Sequence, residues 1–551
     1  MEARSASDRS CPTRRDLAAI WQRIARADAF PDDPSAGRGV EWVQTHLSHV
    51  YLTAQRVYKF RKRVDLGFVR FVSLAERNAD CAREVALNRR LAPDVYLGVA
   101  PLIGSPAYPR VGPVVDSLEA TAREHCVVMR RLPEGRDALS LLARSELTGE
   151  KLDDLAALIA RFHAEYALAT PAPFTREHWL TRCTRPAVEC FQHLSQAGPD
   201  LAPPGELALA RDRMNAFAAS CADRFERRRV AGRAVDAHGD LHLQHVWYER
   251  DDADPIAIDC LEFSEELRRI DPAAEVAFLA MDLRYRGAAG LAERWLRCYA
   301  RESDDFDLYS VIDYFIAYRA AVRAKVAAIA AGDAEIDPTQ RAAAAASVRR
   351  HLVLAGAALV PATRPTLVLV GGVVGTGKST VAAALADRLD GVVIASDRVR
   401  KRLAGVSPTT RLGANWQGGA YGFEQTERIY GALLDRARPV LASGRVAILD
   451  ATFALRARRE QAARLASELG VGVFFAETKC AAEVARARLA QRTAAGVDPS
   501  DAGPELHAES SSSFQAAEEW PEGNRAEIRT DADDWRSGLA GLAQRIRVAA
   551  H

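Results

Sequence analysis

The stretch Gly371-Gly-Val-Val-Gly-Thr-Gly-Lys-Ser-Thr380 decides the fold of the C-terminal part of the chain. From Gly372 to Ser379 it fits G-x-x-x-x-G-K-[ST], the pattern of a loop that cradles phosphate between a strand and a helix. The apolar run Thr366-Leu-Val-Leu-Val370 before it reads as a buried strand, and Val381-Ala-Ala-Ala-Leu-Ala386 after it reads as a helix. Glycines at 372, 375 and 377 let backbone N–H groups crowd around a phosphate where a Cβ would intrude. The helix N-terminus adds partial positive charge at the same point. Gly372, Gly375, Thr376, Gly377, Lys378, Ser379 and Thr380 are the expected nucleotide contacts. Lys378 is placed to reach the β/γ-phosphates and Ser379 to offer its hydroxyl to Mg²⁺. The expected ligand is a nucleoside triphosphate, ATP with Mg²⁺.

Beyond this loop, strands are expected near 366–370, 391–395, 445–449 and 471–476, alternating with helices, the rhythm of a parallel α/β sheet. In such sheets ligands sit at the carboxyl ends of the strands. Asp397, in Ser396-Asp-Arg-Val-Arg400, is then a candidate base for a hydroxyl acceptor, and Arg400 a contact to an anionic group on it. Asp450 ends the apolar run Ala447-Ile-Leu and is a candidate for the Mg²⁺ shell. Arg488 and Arg492 stand one helical turn apart, and as a lid would neutralise charge on a transferring phosphoryl group. The plainer alternatives are a helix N-cap for Asp397 and a solvated helix face for the two arginines. Residues 494–530, rich in Ser, Asp, Glu and Gly, are expected to be mobile or a lid.

The chain has 551 residues, 48% hydrophobic and 27% charged, with a net charge of +1. Those are the values of a globular protein of several domains, and they give no global electrostatic case for nucleic acid or membrane. No apolar run approaches the roughly 18 residues of a membrane span. The polar start lacks the apolar core of a secretory signal. Nine cysteines are scattered without a C-x-x-C pair, which suits a reduced cytoplasm and neither a disulfide framework nor a zinc site. No obligatory protein partner is evident. The break Pro361-Ala-Thr-Arg-Pro365 suggests a division into an extension (1–39), a first domain (40–345), a helix and linker (346–365) and the α/β domain (366–551).

In the N-terminal half, His238-Gly-Asp-Leu-His-Leu-Gln-His245 precedes a short strand, a turn, and a second strand that ends at Asp259. That arrangement holds Asp240 and Asp259 at one end of a hairpin, as a proton acceptor beside a metal ligand. Lys59 falls on a strand of an expected hairpin over 40–72, and Glu84 on the helix after it, spaced to form an ion pair that orients phosphates.

On these residues, 40 to 330 resemble the aminoglycoside phosphotransferase family, small-molecule kinases with the protein-kinase-like fold. The resemblance implies Asp240 as catalytic aspartate, Asp259 as Mg²⁺ ligand, Lys59 and Glu84 as the phosphate-orienting pair, and 125–130 as the segment holding adenine. It places His245 at the second metal ligand, where the family carries Asn. Imidazole is a poor ligand for Mg²⁺ and a better one for Mn²⁺ or Zn²⁺. The set Lys378, Asp397, Arg400, Asp450, Arg488 and Arg492 resembles polynucleotide-kinase-like P-loop kinases. The expected fold is therefore a protein-kinase-like domain followed by a P-loop parallel α/β domain. The expected activity is transfer of the ATP γ-phosphate to a hydroxyl-bearing small molecule or a nucleic-acid 5′ end. A nucleotide-binding regulator with a degraded N-terminal domain, and an aminoglycoside phosphotransferase, are the alternatives.

Overall fold

Alternation of apolar and charged residues over Arg56-Val-Tyr-Lys-Phe-Arg61 sends Tyr58 and Phe60 to one face of a strand and Lys59 and Arg61 to the other. In the computed structural model of the protein this strand is β3 (Arg56–Arg61), one of six in an antiparallel sheet. The others are β1 (Glu41–Gln44), β2 (Ser48–Leu52), β4 (Tyr96–Ser105), β5 (Tyr108–Val111) and β6 (His125–Arg130), in the order β1-β2-β3-β6-β4-β5. The structure describes residues 20–549 except 66–69, 120, 121, 123, 335, 362, 363, 408, 409, 411–421 and 496–505. The polar N-terminal tail and the 496–505 part of the expected lid lie outside the described residues.

Two compact units divide the chain: 1–147 with 236–269, and 148–235 with 270–551. In the first, one sheet face buries Tyr51, Tyr58, Phe60, Cys126 and Val128. The other buries Val99 and Val127 against Cys81 and Val85 of the helix Leu74–Asn88. That helix starts at a capping box: the Ser73 hydroxyl accepts from the Glu76 N–H, and the Glu76 carboxylate accepts from the Ser73 N–H. Such a cap contributes about 1 kcal/mol. Register pairs Lys59 with Val127, so Lys59 and Arg61 face this helix. A short antiparallel pair, β7 (Val246–Trp247) and β8 (Ile256–Ala257), joins the loop bearing Asp240 to the turn bearing Asp259.

In the second unit a five-stranded parallel sheet contains β9 (Thr366–Gly371), β10 (Val392–Ala395), β11 (Val446–Asp450), β12 (Gly472–Lys479) and β13 (Arg525–Arg529). Its order is β10-β11-β9-β12-β13. The four expected strands are present; β13 lies in the stretch expected to be mobile. Only its Ile528 is buried, so the pattern Arg-Ala-Glu-Ile-Arg gives little apolar signal. Arg525 instead reaches Glu477 on β12 at 2.8 Å. Val368, Val370, Ile448, Phe474 and Ile528 form a core with Val381 and Leu385 of the helix Lys378–Leu389 and Leu539 and Ile546 of the helix Trp535–Ala549.

The helices between 270 and 360 pack in this same unit. Arg445, just before β11, is held by Glu293 at 2.9 Å and by Asp313 at 2.9 and 2.8 Å. Burial opposes the Glu293 charge, but Arg445 and Arg284 outweigh it and hold the carboxyl down at about 2. Arg436 adds a two-pronged contact to Asp304 at 2.8 and 2.6 Å. No helix among the described residues is long and apolar enough to cross a membrane.

Candidate functional site

The phosphate loop leaves β9 at Gly371 and enters its helix at Lys378. Gly372, Gly375 and Gly377 have φ of +144°, +86° and +87°, the region that excludes most side chains. A Cβ on Gly372 would also stand 2.4 Å from Thr478 Oγ1, so this turn accepts no other residue without displacing β12. Thr376 is buried and turned into the loop, 2.7 Å from both Val373 O and Thr478 Oγ1. It shapes the loop, whereas Ser379 and Thr380 are exposed at the start of the helix. The Lys378 ammonium donates to Val373 O at 3.1 Å. Burial lowers its pKa; Asp450 and Asp397 act in the opposite direction, and Arg492 pushes with burial.

Strand register explains why those groups meet. Asp450 pairs with Val370 of β9 on one side and Ala395 of β10 on the other. Asp450 therefore ends its strand where the phosphate loop begins, and Asp397 follows two residues after Ala395. Asp397 lies in the first turn of the helix Ser396–Leu403, whose N-cap is Ala395 without a side-chain bond. It is not a capping residue, and its carboxylate takes Arg400 at 3.0 Å. Arg488 is turned elsewhere: its guanidinium donates to Thr530 Oγ1 at 2.8 Å and Thr530 O at 2.9 Å. Three contacts were not anticipated from sequence. Thr530 Oγ1 donates to Thr376 O at 2.8 Å, His507 Nδ1 donates to Val374 O at 2.8 Å, and Ser510 Oγ accepts from the Val374 N–H at 3.2 Å. Nothing in the pattern around 507 or 530 signals this, because each acts on loop backbone across more than a hundred residues.

In the first unit, Lys59 Nζ bonds Glu84 Oε1 at 3.0 Å and Asp259 Oδ1 at 2.9 Å. Burial opposes the Lys59 charge, but Asp259 and Glu84 outweigh it and raise the ammonium above its usual range. Lys59 in turn holds the Asp259 carboxyl well below the usual carboxylate range. Asp259 has φ +62° and its N–H donates to Tyr96 Oη at 3.0 Å, which aims the carboxylate at Lys59.

Arg61, two residues along β3, is buried among Asp80 (2.6 Å), Glu84 and Glu262. Burial pushes the Glu262 carboxyl up to about 8, against the pull of Arg61. Arg61 and Glu262 were missed in the sequence, although the alternation that marks Lys59 also marks Arg61.

Asp240 Oδ2 lies 3.6 Å from His245 Nδ1 and 3.7 Å from His242 Nε2, and His245 Nε2 lies 3.6 Å from Asp259 Oδ2. His245 thus stands between the two aspartates, and His242, which the sequence reading left out, joins them. His238 is fully buried and ties this loop to the next strand by donating Nε2–H to Ile258 O at 2.8 Å. Burial keeps it neutral, near 4.

An antiparallel sheet with a lysine–glutamate–aspartate chain, and a parallel sheet opening on a phosphate loop, define the class: a protein-kinase-like domain joined to a P-loop kinase-like domain. Residues 367–517 match the family model AAA_33, described as an AAA domain. The chain is 32% identical over 459 residues to Uncharacterized protein Rv2004c of Mycobacterium tuberculosis, covering 83% of this chain and 86% of that one. Uncharacterized protein Mb2027c of Mycobacterium bovis matches with the same identity and coverage. The chain belongs to the family of these mycobacterial proteins. Among solved structures, a choline/ethanolamine kinase family protein from Mesorhizobium loti is 13% identical, with 62% of this chain and 99% of that one covered and a TM-score of 0.35. A gluconokinase from Sinorhizobium meliloti is 19% identical, with 34% and 98% covered and a TM-score of 0.24. The fold assignment rests on the strand orders and registers above rather than on these distant likenesses.

Proposed function

We propose that the protein is an ATP-dependent phosphotransferase whose P-loop unit moves the γ-phosphate to a hydroxyl acceptor, a small molecule or a polynucleotide 5′-OH. The observation that carries this reading is the register Val370–Asp450–Ala395, which gathers Lys378, Asp450 and Asp397 at the carboxyl ends of three adjoining strands. A mere triphosphate binder needs the loop and its lysine; a second carboxylate one strand over, paired to an arginine, suits a hydroxyl acceptor.

In this reading the backbone N–H groups from Gly375 to Ser379 hold the β-phosphate. Lys378 and Arg492 neutralise charge on the moving phosphoryl group. Asp397 takes the acceptor proton, and Arg400, 3.0 Å away, holds that carboxylate in place. Ser379 and Asp450 would hold Mg²⁺, which would supply positive charge against the charge developing on the phosphates. A hydroxyl and a carboxylate are oxygen donors of the kind that ion takes.

The N-terminal unit carries the parts of a second nucleotide site in Lys59, Glu84, Asp240 and Asp259. A regulatory, nucleotide-sensing role for it is favoured by His245, whose imidazole faces Asp259 where an oxygen donor would suit Mg²⁺ better.

The test is single-turnover consumption of γ-labelled ATP by wild type, Lys378→Ala and Asp240→Asn, with 5′-hydroxyl oligonucleotides and a panel of small alcohols. The expected result is a loss of about 10²–10³-fold in Lys378→Ala and little change in Asp240→Asn. Loss in Asp240→Asn alone would move the chemistry to the N-terminal unit. Tight ATP binding by wild type with no acceptor labelled would remove the transferase reading.

A further inference from the structure

The segment His238-Gly-Asp-Leu-His-Leu-Gln-His245 carries more imidazole than proton transfer at Asp240 needs. Gly239, at φ +87°, reverses the chain, and a single helical turn, Leu243–His245, follows with His242 as its own N-cap. This local fold gathers three side chains that are nearly consecutive in sequence. Asp240 Oδ2 stands 3.7 Å from His242 Nε2 and 3.6 Å from His245 Nδ1, and one possible ligand atom from each of the three residues lies within 4.8 Å of the others. Tetrahedral ligation at about 2.1 Å sets neighbouring donors about 3.4 Å apart, so the two contacts to Asp240 need to close by only a few tenths of an ångström.

We propose that Asp240 Oδ2, His242 Nε2 and His245 Nδ1 bind one divalent ion of the Zn²⁺ or Co²⁺ class, leaving a fourth position to water. Two imidazoles with one carboxylate select such borderline ions over Mg²⁺ or Ca²⁺, which favour oxygen. His242 is buried and the His245 side chain only 15% exposed, so both imidazoles are shielded from bulk water, while the Asp240 side chain is 36% exposed.

Ion uptake requires a change of proton placement. Without the ion, His245 Nδ1–H donates to Asp240 O at 2.9 Å. Ion uptake moves that proton to Nε2, where Asp259 Oδ2, 3.6 Å away, takes the hydrogen bond. An outer carboxylate of this kind fixes the ring and strengthens a metal-bound imidazole. His242 gives up the longer contact its Nδ1 accepts from the Gln244 N–H, 3.3 Å. The two rings lie 3.9 Å apart and 32° from parallel. An ion held there engages Asp240, one of the groups of the nucleotide-sensing site proposed above; the binding itself does not depend on that reading.

The experiment is a Co²⁺ titration of the full-length, nucleotide-free protein, followed by visible absorption and repeated with Zn²⁺ as competitor. One equivalent is expected, displaced by Zn²⁺ and unaffected by millimolar Mg²⁺. The double variant His242→Ala/His245→Ala loses the signal, and Asp259→Asn weakens it by about 10–100-fold. His178→Ala, which removes an exposed imidazole in the other unit, binds as wild type. Melting curves confirm folding, and His242→Gln with His245→Gln replaces any alanine variant that does not fold. The proposal is overturned if no site is seen, or if the site survives loss of both imidazoles. It is equally overturned if Asp259→Asn abolishes the signal while His242→Ala leaves it intact, since the ion then belongs to Asp259. Phosphoryl transfer is not read in this assay, so its absence leaves the outcome unchanged.

Discussion

In the proposed reading the two candidate sites meet the same chemical problem, a multiply charged phosphate, with opposite materials. The loop at 372–379 uses backbone N–H groups, shaped by three positive-φ glycines and a threonine turned inward, and adds one lysine. The N-terminal unit uses side chains: Lys59 and Arg61 among Asp80, Glu84, Asp259 and Glu262, with three of those carboxylates buried. A backbone-made site costs little to hold ready, because peptide dipoles need no counter-charge. A side-chain-made site carries ionic groups out of water and depends on every partner being present.

The largest effect that follows is on folding. Arg61→Met keeps the length of the side chain and strips three buried carboxylates of their common partner, so it should destabilise the first unit by about 3–5 kcal/mol. Lys378→Met, also isosteric, should leave stability within about 0.5 kcal/mol, because Lys378 loses only one carbonyl contact. Urea unfolding of both variants checks this. Equal costs would break the contrast between the two sites.

That contrast also explains what could be read from the sequence. The phosphate loop is contiguous, so its glycines, lysine and flanking strand and helix were all visible. Asp397 and Asp450 were legible because parallel strands end in one crevice. Lys59 and Asp259 meet across 200 residues of sequence, and the resemblance rather than any local pattern brought them together. Arg61 lay in plain view two residues from Lys59, but a second cation on that face has no meaning until Asp80, Glu84 and Glu262 are seen around it. The packing of the 270–360 helices with the parallel sheet had no signal at all. It runs through pairs such as Arg445 with Glu293, 152 residues apart, and charged pairs at that distance leave no periodicity.

A smaller effect sharpens the comparison through pH. Burial raises the Glu262 carboxyl from its ordinary 4.5 to about 8, so the folded state binds a proton that the unfolded chain releases. The stability tied to that proton is fully present below pH 4.5 and is lost as pH rises through 8. Glu262→Gln should therefore flatten the decline of stability between those values. His49 and His238, both held near 4 by burial, give a slope of the opposite sign between 4 and 6.5, common to both proteins. The difference between wild type and variant, from denaturant midpoints at several pH values, isolates Glu262. An unchanged difference across the range would mean that Arg61 keeps Glu262 ionised, and that the network is balanced without a proton.

The smallest expected effect bears on the loop-built site. Thr530 Oγ1 donates to Thr376 O and accepts from Arg488, each at 2.8 Å, while Arg488 keeps a second bond to Thr530 O at 2.9 Å. Thr530→Val preserves the shape and removes only the hydroxyl, so about 1 kcal/mol of loop alignment is at stake. That corresponds to a rise of about fivefold in KM for ATP with kcat unchanged, since the hydroxyl positions the loop in ground and transition states alike. A matching fall in kcat would instead tie the Thr530–Arg488 pair to the moving phosphoryl group, the lid role expected of Arg488 from sequence. Steady-state kinetics of this conservative variant therefore decide whether Arg488 serves to shape the cradle or to stabilise the charge that passes through it.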